Sequence, residues 1–211
     1  MTDRGKTAKK RVVLVRHGQP QQHAEGIFLG QTDVPLSQAG RGEAAAAAEE
    51  LLRLGARARR IYTSDLSRAR ETAEILARRL ERDPAGGGGG VTVIGDKLFR
   101  EVDMGSWDGE FISEIKRKFP EEYEKRGDDI KNYRVPGGEN FYDLKGRVTR
   151  EFYRVWRDEF APSGAPDLVI VSHLGVMRTI LCELWQDEDE AFGRRCPTGS
   201  VIAVEAPDWL V

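Results

Sequence analysis

Two short, unbroken runs of branched apolar residues constrain the fold of this chain more than any other feature of its sequence. They cover residues 12–15 and 168–171, and neither shows the alternation of apolar and polar residues that a half-exposed strand requires. Such continuous runs are typical of strands that are buried on both faces of a parallel sheet. Three shorter runs predict further strands at 60–62, 91–94 and 201–204.

Segments with a helical spacing of apolar residues separate these strands. Ser37 is placed to cap a first helix that Gly55 ends, and residues 66–80 carry a second apolar stripe at intervals of three, four and seven. Asn140 is placed to cap a third helix, and a fourth covers about 175–185. Strands that alternate with amphipathic helices predict an α/β fold with three layers, in which helices cover both faces of a mostly parallel central sheet.

The domain organisation is predicted to be simple. A length of 211 residues without repeats or long linkers favours one domain over 1–211. Residues 107–135 are rich in charged and aromatic side chains and are predicted to form an inserted cap with a short helix over a site. The five glycines at 86–90 favour a surface loop, because a glycine-rich phosphate loop would need a following Lys and Ser/Thr.

Composition excludes several classes of function. With 33 Lys and Arg against 35 Asp and Glu, the formal net charge is −2, so we expect no nucleic-acid partner and only a local anion site. The longest apolar runs fall far short of the ~20 residues of a membrane helix, and the basic start lacks a secretory apolar region. Cys182 and Cys196 form neither a disulfide framework nor a CxxC metal pair. We therefore predict a cytoplasmic protein with no membrane contact and leave a homodimer open.

A histidine follows each of the two longest apolar runs. His17 stands between Arg16 and Gly18, and His173 follows Ser172. Ligands bind beyond the carboxyl ends of parallel strands, so the two imidazoles converge if the strands are neighbours. Either histidine alone is more simply an ordinary core or loop residue. Together they suit a zinc ion with Glu101 as third ligand, or a phosphate, and the guanidinium of Arg16 favours the phosphate.

Arg68 and Glu101 are the next candidates. Arg68 falls in the first turn of the second predicted helix, where the helix dipole favours an anion, and a bound phosphate would explain a cation there. The alternative is a solvated arginine on an arginine-rich helix face. Glu101 lies in a stretch without helical period and would by itself be an ordinary surface carboxylate. It is a candidate general acid only because the histidines and arginines above are also candidates for one site. His23 lies in a polar loop and is expected to be exposed.

Residues 14–18, Leu-Val-Arg-His-Gly, resemble the signature of the histidine phosphatase superfamily. This family includes phosphoglycerate mutases, the fructose-2,6-bisphosphatase domain and α-ribazole phosphatases. Further segments resemble the family in the same order: 30–40, 64–73, Glu101 with Gly105 and Trp107, 137–139 and 171–173. The resemblance covers nearly the whole chain and implies a phosphoglycerate mutase-like form of the α/β fold.

The resemblance also implies a mechanism. His17 would attack phosphorus and carry a phosphohistidine, while Glu101 would act as general acid and then as general base. The implied catalytic residues are His17, Glu101, His173, Arg16 and Arg68. The implied phosphate and substrate contacts are Arg16, Arg68, His173, Leu174, His23 and Gly30. No metal and no cofactor is expected, and the expected partner is a small phosphomonoester substrate.

Several positions depart from the common family pattern. Gln19-Pro20 replaces a frequent Glu-Thr or Glu-Ser, His23 a frequent asparagine, Leu174 a frequent glycine and Asn140 a frequent serine. Leu174 is expected to narrow the pocket. The expected activity is metal-independent hydrolysis, favoured by the short segment between Trp107 and Gly137. The alternatives are phosphoglycerate mutase-type phosphoryl transfer and a catalytically weak phospho-ligand-binding protein.

Overall fold

A five-stranded sheet forms the centre of the protein. The computed structural model describes residues 10–21, 26–83 and 90–210. The strands are β1 (Arg11–Arg16), β2 (Arg60–Thr63), β3 (Thr92–Gly95), β4 (Asp167–Ser172) and β5 (Val201–Glu205). Their spatial order is β3-β2-β4-β1-β5, and only β5 runs antiparallel to its neighbour. Since β1 and β4 are adjacent and parallel, their carboxyl ends lie side by side.

Seven α-helices surround the sheet in the described residues. They are α1 (Gln38–Arg53), α2 (Ser67–Glu81), α3 (Ile112–Lys118), α4 (Pro120–Asp128), α5 (Phe141–Arg154), α6 (Leu174–Trp185) and α7 (Glu188–Gly193). Short 3-10 turns cover Lys97–Phe99, Gly105–Trp107 and Ala161–Ser163, and a π-helical turn at Val155–Phe160 continues α5.

Two hydrophobic cores, one on each face of the sheet, hold these layers together. Alternate residues of β1 enter opposite cores: Val13 and Val15 face α1 and α2, whereas Val12 and Leu14 face α5 and α6. This double burial explains why the strand lacks polar alternation. Each fully buried Val or Leu side chain contributes about 1.5–3 kcal/mol relative to an exposed one.

Local capping fixes where the helices begin. The Ser37 hydroxyl accepts a hydrogen bond from the Gly40 amide at the start of α1. Asn140 and Asp143 form a reciprocal capping box at the start of α5. The glycine expected to end the first helix, Gly55, follows it with a φ of 63°.

A third, smaller core lies under the cap helices α3 and α4. It is built from the buried side chains of Met104, Trp107, Ile115 and Val135. Phe28, from the loop after β1, packs against Trp107 with a ring separation of 5.4 Å. The segment predicted as a cap therefore contacts both the loop after β1 and the segment that follows Glu101.

The predicted α/β fold class, with helices on both faces of a mostly parallel sheet, is confirmed. All five predicted strands are present with ends that shift by one residue, and the four longer predicted helices are present. Helices α4 and α7 were not predicted, because short polar helices lack a sustained apolar stripe. The third predicted helix included Val155, but its change to a π-helical turn there was not predicted. Most of the predicted glycine loop, residues 86–89, lies outside the described residues.

Two further sequence expectations concern the whole molecule. Within the described residues no helix is both long and apolar enough to cross a membrane. Cys182 and Cys196 are buried free thiols, and burial raises the pKa of Cys182 to about 11. The single-domain organisation and the cytoplasmic location stay predictions.

Candidate active site

The two strand-end histidines lie in direct ring contact. Arg16 pairs with Ser172 at the last register position of β1 and β4, so His17 and His173 follow at the same edge of the sheet. Their ring centroids are 4.9 Å apart and the rings are inclined by 61°. The two imidazoles were expected to converge if their strands are neighbours, and β1 and β4 are neighbours.

The hydrogen bond of His17 defines its tautomer. Nδ1 lies 2.7 Å from the carbonyl oxygen of Gly18, which can only accept, so Nδ1 carries the proton. The lone pair of the neutral ring is then on Nε2. With 5% of its surface exposed, His17 is shielded from bulk water, and the arrangement suits a nucleophilic imidazole.

Gly18 brings the loop after β1 against the first turn of α1. A Cβ at Gly18 would collide with the carbonyl oxygen of Gly40, so the close approach requires glycine here. The Gly18 amide donates to the Thr72 hydroxyl, which in turn donates to the Arg68 carbonyl oxygen. This chain of hydrogen bonds links the His17 turn to the start of α2.

Two guanidinium groups accompany the imidazoles. Arg68 is fully buried and donates to the carbonyl oxygens of Gly30 and Thr32 at 2.6 and 2.8 Å. Arg16 donates to the Cys196 carbonyl oxygen at 2.7 Å. The Nε atoms of both arginines are buried and have no hydrogen-bond partner among the described residues. Burial lowers the pKa of both guanidiniums, yet arginine keeps its charge in proteins, so an anion would stabilise the pair.

The loop that holds Arg68 is itself held by Asp108. The Asp108 carboxylate accepts hydrogen bonds from the amides of Gly30, Gln31 and Thr32. A Cβ at Gly30 would lie 2.7 Å from the Val102 carbonyl oxygen. Gly30 thus contacts Arg68 and Asp108. Its predicted effect on substrate binding would be indirect, because its carbonyl oxygen helps to hold Arg68 in place.

His173 is fully buried and neutral. Neither ring nitrogen has a hydrogen-bond partner among the described residues. Burial, followed by the positive charges of neighbours that include Arg68, Arg16 and Arg147, holds the pKa of His173 well below 6.5. A buried imidazole without partners costs free energy, and a phosphate oxygen at this place would accept its N–H.

Glu101 reaches the same place from the segment after β3. Its carboxylate accepts hydrogen bonds from the amides of Gly175, at 3.2 and 3.3 Å, and of Val102, at 2.9 Å. A Cβ at Gly175 would collide with Oε1 of Glu101. The start of α6 therefore requires a glycine at position 175 and not at position 174. Leu174 instead lines the cavity next to Glu101.

Arg147 fixes the backbone around Glu101 and was not predicted as a site residue. Its guanidinium donates to the carbonyl oxygens of Leu98, Arg100 and Glu101 at 2.7, 2.9 and 2.8 Å. It also forms a two-bond ion pair with Glu139, whose carboxylate accepts the Asp103 amide. The only sequence signal for these contacts of Arg147 is its partner Glu139, which lies in the segment 137–139 that resembles the family.

The structure brings the five predicted residues into one cluster. His17 contacts His173, Arg16 and Arg68 lie close enough to lower the pKa of His173, and Glu101 lies close enough to act on both guanidiniums. The predicted contact at His23 lies outside the described residues. Among the described residues no three His, Cys, Asp or Glu side chains form a group that could hold a metal ion. N–H donors that converge beside one carboxyl group suit the binding of an oxyanion next to a proton donor.

Comparison with known proteins adds independent observations. A family model described as histidine phosphatase superfamily (branch 1) matches residues 12–208. The 6-phosphofructo-2-kinase/fructose-2,6-bisphosphatase of Gallus gallus is 31% identical over 192 residues, which are 90% of this chain and 36% of the relative. Phosphoglycerate mutase-like protein 4 of Arabidopsis thaliana is 32% identical over 170 residues, which are 80% of this chain and 68% of the relative. The chain thus spans little more than a third of the Gallus gallus protein.

One solved structure of similar fold is a mycobacterial glucosyl-3-phosphoglycerate phosphatase. It superposes with a TM-score of 0.75 at 26% identity, and the match covers 92% of this chain and 89% of the other. The fold is therefore shared with a protein named as a phosphatase.

Proposed function

The chain belongs to the histidine phosphatase superfamily, as its motifs predict, and from this premise we propose that it hydrolyses small phosphomonoesters through a phosphohistidine on His17. The observation that carries the proposal is the meeting of two imidazoles, 4.9 Å apart, with the guanidiniums of Arg16 and Arg68. Among the described residues, the ring nitrogens of His173 and the Nε atoms of Arg16 and Arg68 are buried without a hydrogen-bond partner, and a phosphate group would accept hydrogen bonds from their N–H groups. Relatives named as phosphatases and mutases support phosphoryl chemistry.

In the proposed first step, Nε2 of His17 attacks phosphorus. A phosphorus–nitrogen bond forms while the bond from phosphorus to the leaving oxygen breaks, and Glu101 gives its proton to that oxygen. The phosphorylated ring keeps its proton on Nδ1 and carries a positive charge. The Gly18 carbonyl oxygen, 2.7 Å from Nδ1, stabilises this charge.

In the proposed second step, water hydrolyses the phosphohistidine. Glu101, now a carboxylate, takes one proton from the water as its oxygen bonds to phosphorus. The phosphorus–nitrogen bond breaks and its electron pair returns to Nε2 of His17. Inorganic phosphate leaves, and both Glu101 and His17 regain their starting protonation. No metal ion takes part in either step.

Arg16, Arg68 and His173 stabilise the charge that spreads over the phosphoryl oxygens in both steps. They are held in place before substrate binds, since Arg68 is fixed by two carbonyl oxygens and His173 is fully buried. Donors held in this way cost little reorganisation during the reaction. In acyl-transfer enzymes, removal of one donor to the developing oxyanion lowers kcat by about 10²–10³-fold.

Hydrolysis of 4-nitrophenyl phosphate in EDTA tests the proposal. We expect release of nitrophenolate and inorganic phosphate, and rapid quenching should trap acid-labile phosphate on the protein. His17→Ala should lose both the turnover and the trapped phosphate while its circular dichroism spectrum stays that of the wild type. Loss of wild-type turnover in EDTA would contradict the metal-independent route.

The same assay separates the two alternatives. Transfer of the trapped phosphate to a phosphoglycerate in preference to water would identify a mutase. Binding of a phosphomonoester without release of phosphate would identify a phospho-ligand-binding protein. Both outcomes would replace hydrolysis as the assigned function.

A further inference from the structure

One peptide group joins the nucleophile to a carboxylate on α1. It is the peptide group between Gly18 and Gln19, directly after His17. Its carbonyl oxygen, that of Gly18, lies 2.7 Å from Nδ1 of His17 and accepts a hydrogen bond from it. Its N–H group, that of Gln19, donates at 2.8 Å to Oε2 of Glu43. A path of two hydrogen bonds therefore leads from the His17 ring through this peptide group to the Glu43 carboxylate.

The peptide group couples these two hydrogen bonds electronically. Its C–N bond has partial double-bond character, so a carboxylate that accepts a hydrogen bond from the N–H shifts electron density toward the carbonyl oxygen. Hydrogen bonds in a chain polarise one another in this way, and an ionised acceptor makes them roughly twice as strong as a neutral one does. The Glu43 carboxylate thus strengthens the oxygen that accepts the Nδ1–H of His17.

The start of α1 holds this peptide group in place. A Cβ at Gly18 would collide with the carbonyl oxygen of Gly40, and a Cβ at Gly40 would collide with the carbonyl oxygen of Gln19. The Ser37 amide donates to the same Gln19 oxygen at 2.9 Å. The two glycines let the helix and the loop pack backbone to backbone, so the path from His17 to α1 is fixed before substrate binds.

The turn before β5 packs against Glu43 from the other side. A Cβ at Gly199 would lie 2.8 Å from Cβ of Glu43, and the φ of 73° also favours glycine there. The Gly199 amide donates to the carbonyl oxygens of Arg16 and His17 at 3.2 and 3.1 Å. Burial lowers the pKa of Arg16, and the charges of Glu101 and Glu43 oppose this effect. The charge of Glu43 therefore acts inside the catalytic cluster.

We propose that Glu43 is a positioning residue that acts on His17 through the Gly18–Gln19 peptide group, making Nε2 a stronger nucleophile and stabilising the positive charge of the phosphorylated ring. The inference rests on the proposed function, since it takes His17 as the nucleophile. No proton moves along the path, because Nδ1 keeps its proton while its hydrogen bond to Gly18 strengthens. In serine proteases a carboxylate stabilises the imidazolium by direct contact with Nδ1–H, whereas here a peptide group lies between the two.

Glu43→Gln tests the proposal, because the amide keeps an oxygen that can accept from the Gln19 N–H but removes the charge. In rapid-quench experiments with 4-nitrophenyl phosphate, formation of phosphohistidine should slow by about 3- to 10-fold, since a neutral acceptor makes the hydrogen bonds weaker. Breakdown of the phosphohistidine by water should become faster, because the charge of the phosphorylated ring is less stabilised. Glu43→Asp, which keeps the charge, should restore part of the formation rate.

Opposite changes in the two half-reactions distinguish this role from a structural one, because a displaced His17 would slow both. Glu49→Gln removes an exposed charge from the same helix and is the control that should keep both rates. Equal slowing of both half-reactions, or wild-type rates in Glu43→Gln, would overturn the inference. A changed affinity for inorganic phosphate without a change in the formation rate would indicate action through Arg16 and would overturn it as well.

NMR of the His17 ring distinguishes failure of this inference from failure of the proposed function. The chain has three histidines, and His17→Ala identifies the signals of His17. In the unliganded protein, the Nδ1–H proton of His17 should move upfield in Glu43→Gln and stay in place in Glu49→Gln, whether or not an ester is hydrolysed. If the wild type forms no phosphohistidine, the proposed function falls and the NMR shift still tests the path. Unchanged proton and nitrogen shifts of His17 in Glu43→Gln would reject the path even in an active enzyme.

Discussion

The backbone amide of Gly175 lies 3.2 Å from Oε1 of Glu101, so the first turn of α6 fixes a carboxyl group that comes from a distant segment of the chain. The N-terminus of a helix favours a carboxylate through its free amides and its dipole. A Cβ at position 175 would collide with that oxygen and would lie 2.8 Å from Cδ2 of Leu144. The observed position of the Glu101 carboxylate therefore requires a glycine at position 175.

Gly175→Ala is predicted to impair catalysis by displacing Glu101. A shift of about 1 Å in a catalytic group can lower the rate by about 10²-fold, so kcat for alkyl phosphates should fall by about that factor. Gly146→Ala in α5 is the matched control, because that helical glycine is exposed and has open space around it. It should keep its activity and gain up to about 1 kcal/mol in the free energy of unfolding. Wild-type rates in Gly175→Ala would contradict the constraint.

Glu101→Gln is predicted to make the rate depend strongly on the leaving group. The amide has no acidic proton to give, so alkyl phosphates should lose about 10²–10⁴-fold in kcat/KM. Nitrophenyl phosphate should lose far less at the bond-breaking step, because nitrophenolate leaves without protonation. A plot of log kcat/KM against the pKa of the leaving alcohol measures the difference. Equal losses for both substrates would exclude Glu101 as the acid.

Arg147→Met is predicted to act through Glu101. It removes the hydrogen bonds to the carbonyl oxygens of Leu98, Arg100 and Glu101 and leaves Glu139 unpaired. We expect a lower kcat with the same steepened dependence on the leaving group that Glu101→Gln shows, and partial recovery in Arg147→Lys. Arg150→Met, at an exposed position on the same helix, is the control. A loss of kcat that is uniform across leaving groups would indicate a structural role only.

The catalytic cluster could be predicted from the sequence because the sheet brings it together. The sequence predicted that His17 and His173 converge if the strands at residues 12–15 and 168–171 are neighbours, and the pairing of β1 with β4 meets that condition. Arg68 was placed in the first turn of α2, but a solvated arginine remained an alternative there, and its role in the site was predicted only from the resemblance to the family. The apolar pattern thus predicted the strands and the longer helices, whereas the resemblance to the family predicted which groups at their ends form one site.

The groups that support the cluster could not be predicted in this way. Arg147 lies on α5 between the buried Leu144 and Val148, where an arginine is indistinguishable from a solvated one in sequence. Asp108 organises the loop at residues 30–32 across 78 positions of sequence from Gly30, and no local pattern records such a contact. Helix α4 of the cap has no buried residue and hence no apolar stripe.

The folding stability of the unliganded protein is predicted to decrease below about pH 6.5 because of His173. Its pKa is 6.5 in the unfolded chain and lies well below that in the folded protein, mainly because of burial and then of Arg68, His17 and Arg16. On acidification the unfolded chain takes up a proton that the folded protein does not, so the free energy of unfolding falls with pH, by up to about 1.4 kcal/mol per pH unit. Above about pH 6.5 this contribution is fully present.

Melting temperatures measured between pH 5 and pH 7.5 test this linkage. The wild type should lose roughly 2–4 °C for each kcal/mol of lost stability, and His173→Gln, which cannot take up a proton, should show a smaller loss over the same range. Vanadate or inorganic phosphate should reduce the loss in the wild type, because a bound anion stabilises the protonated imidazole and offsets its burial. Parallel profiles for the wild type and His173→Gln would show that the buried imidazole does not govern the acid side of the stability curve.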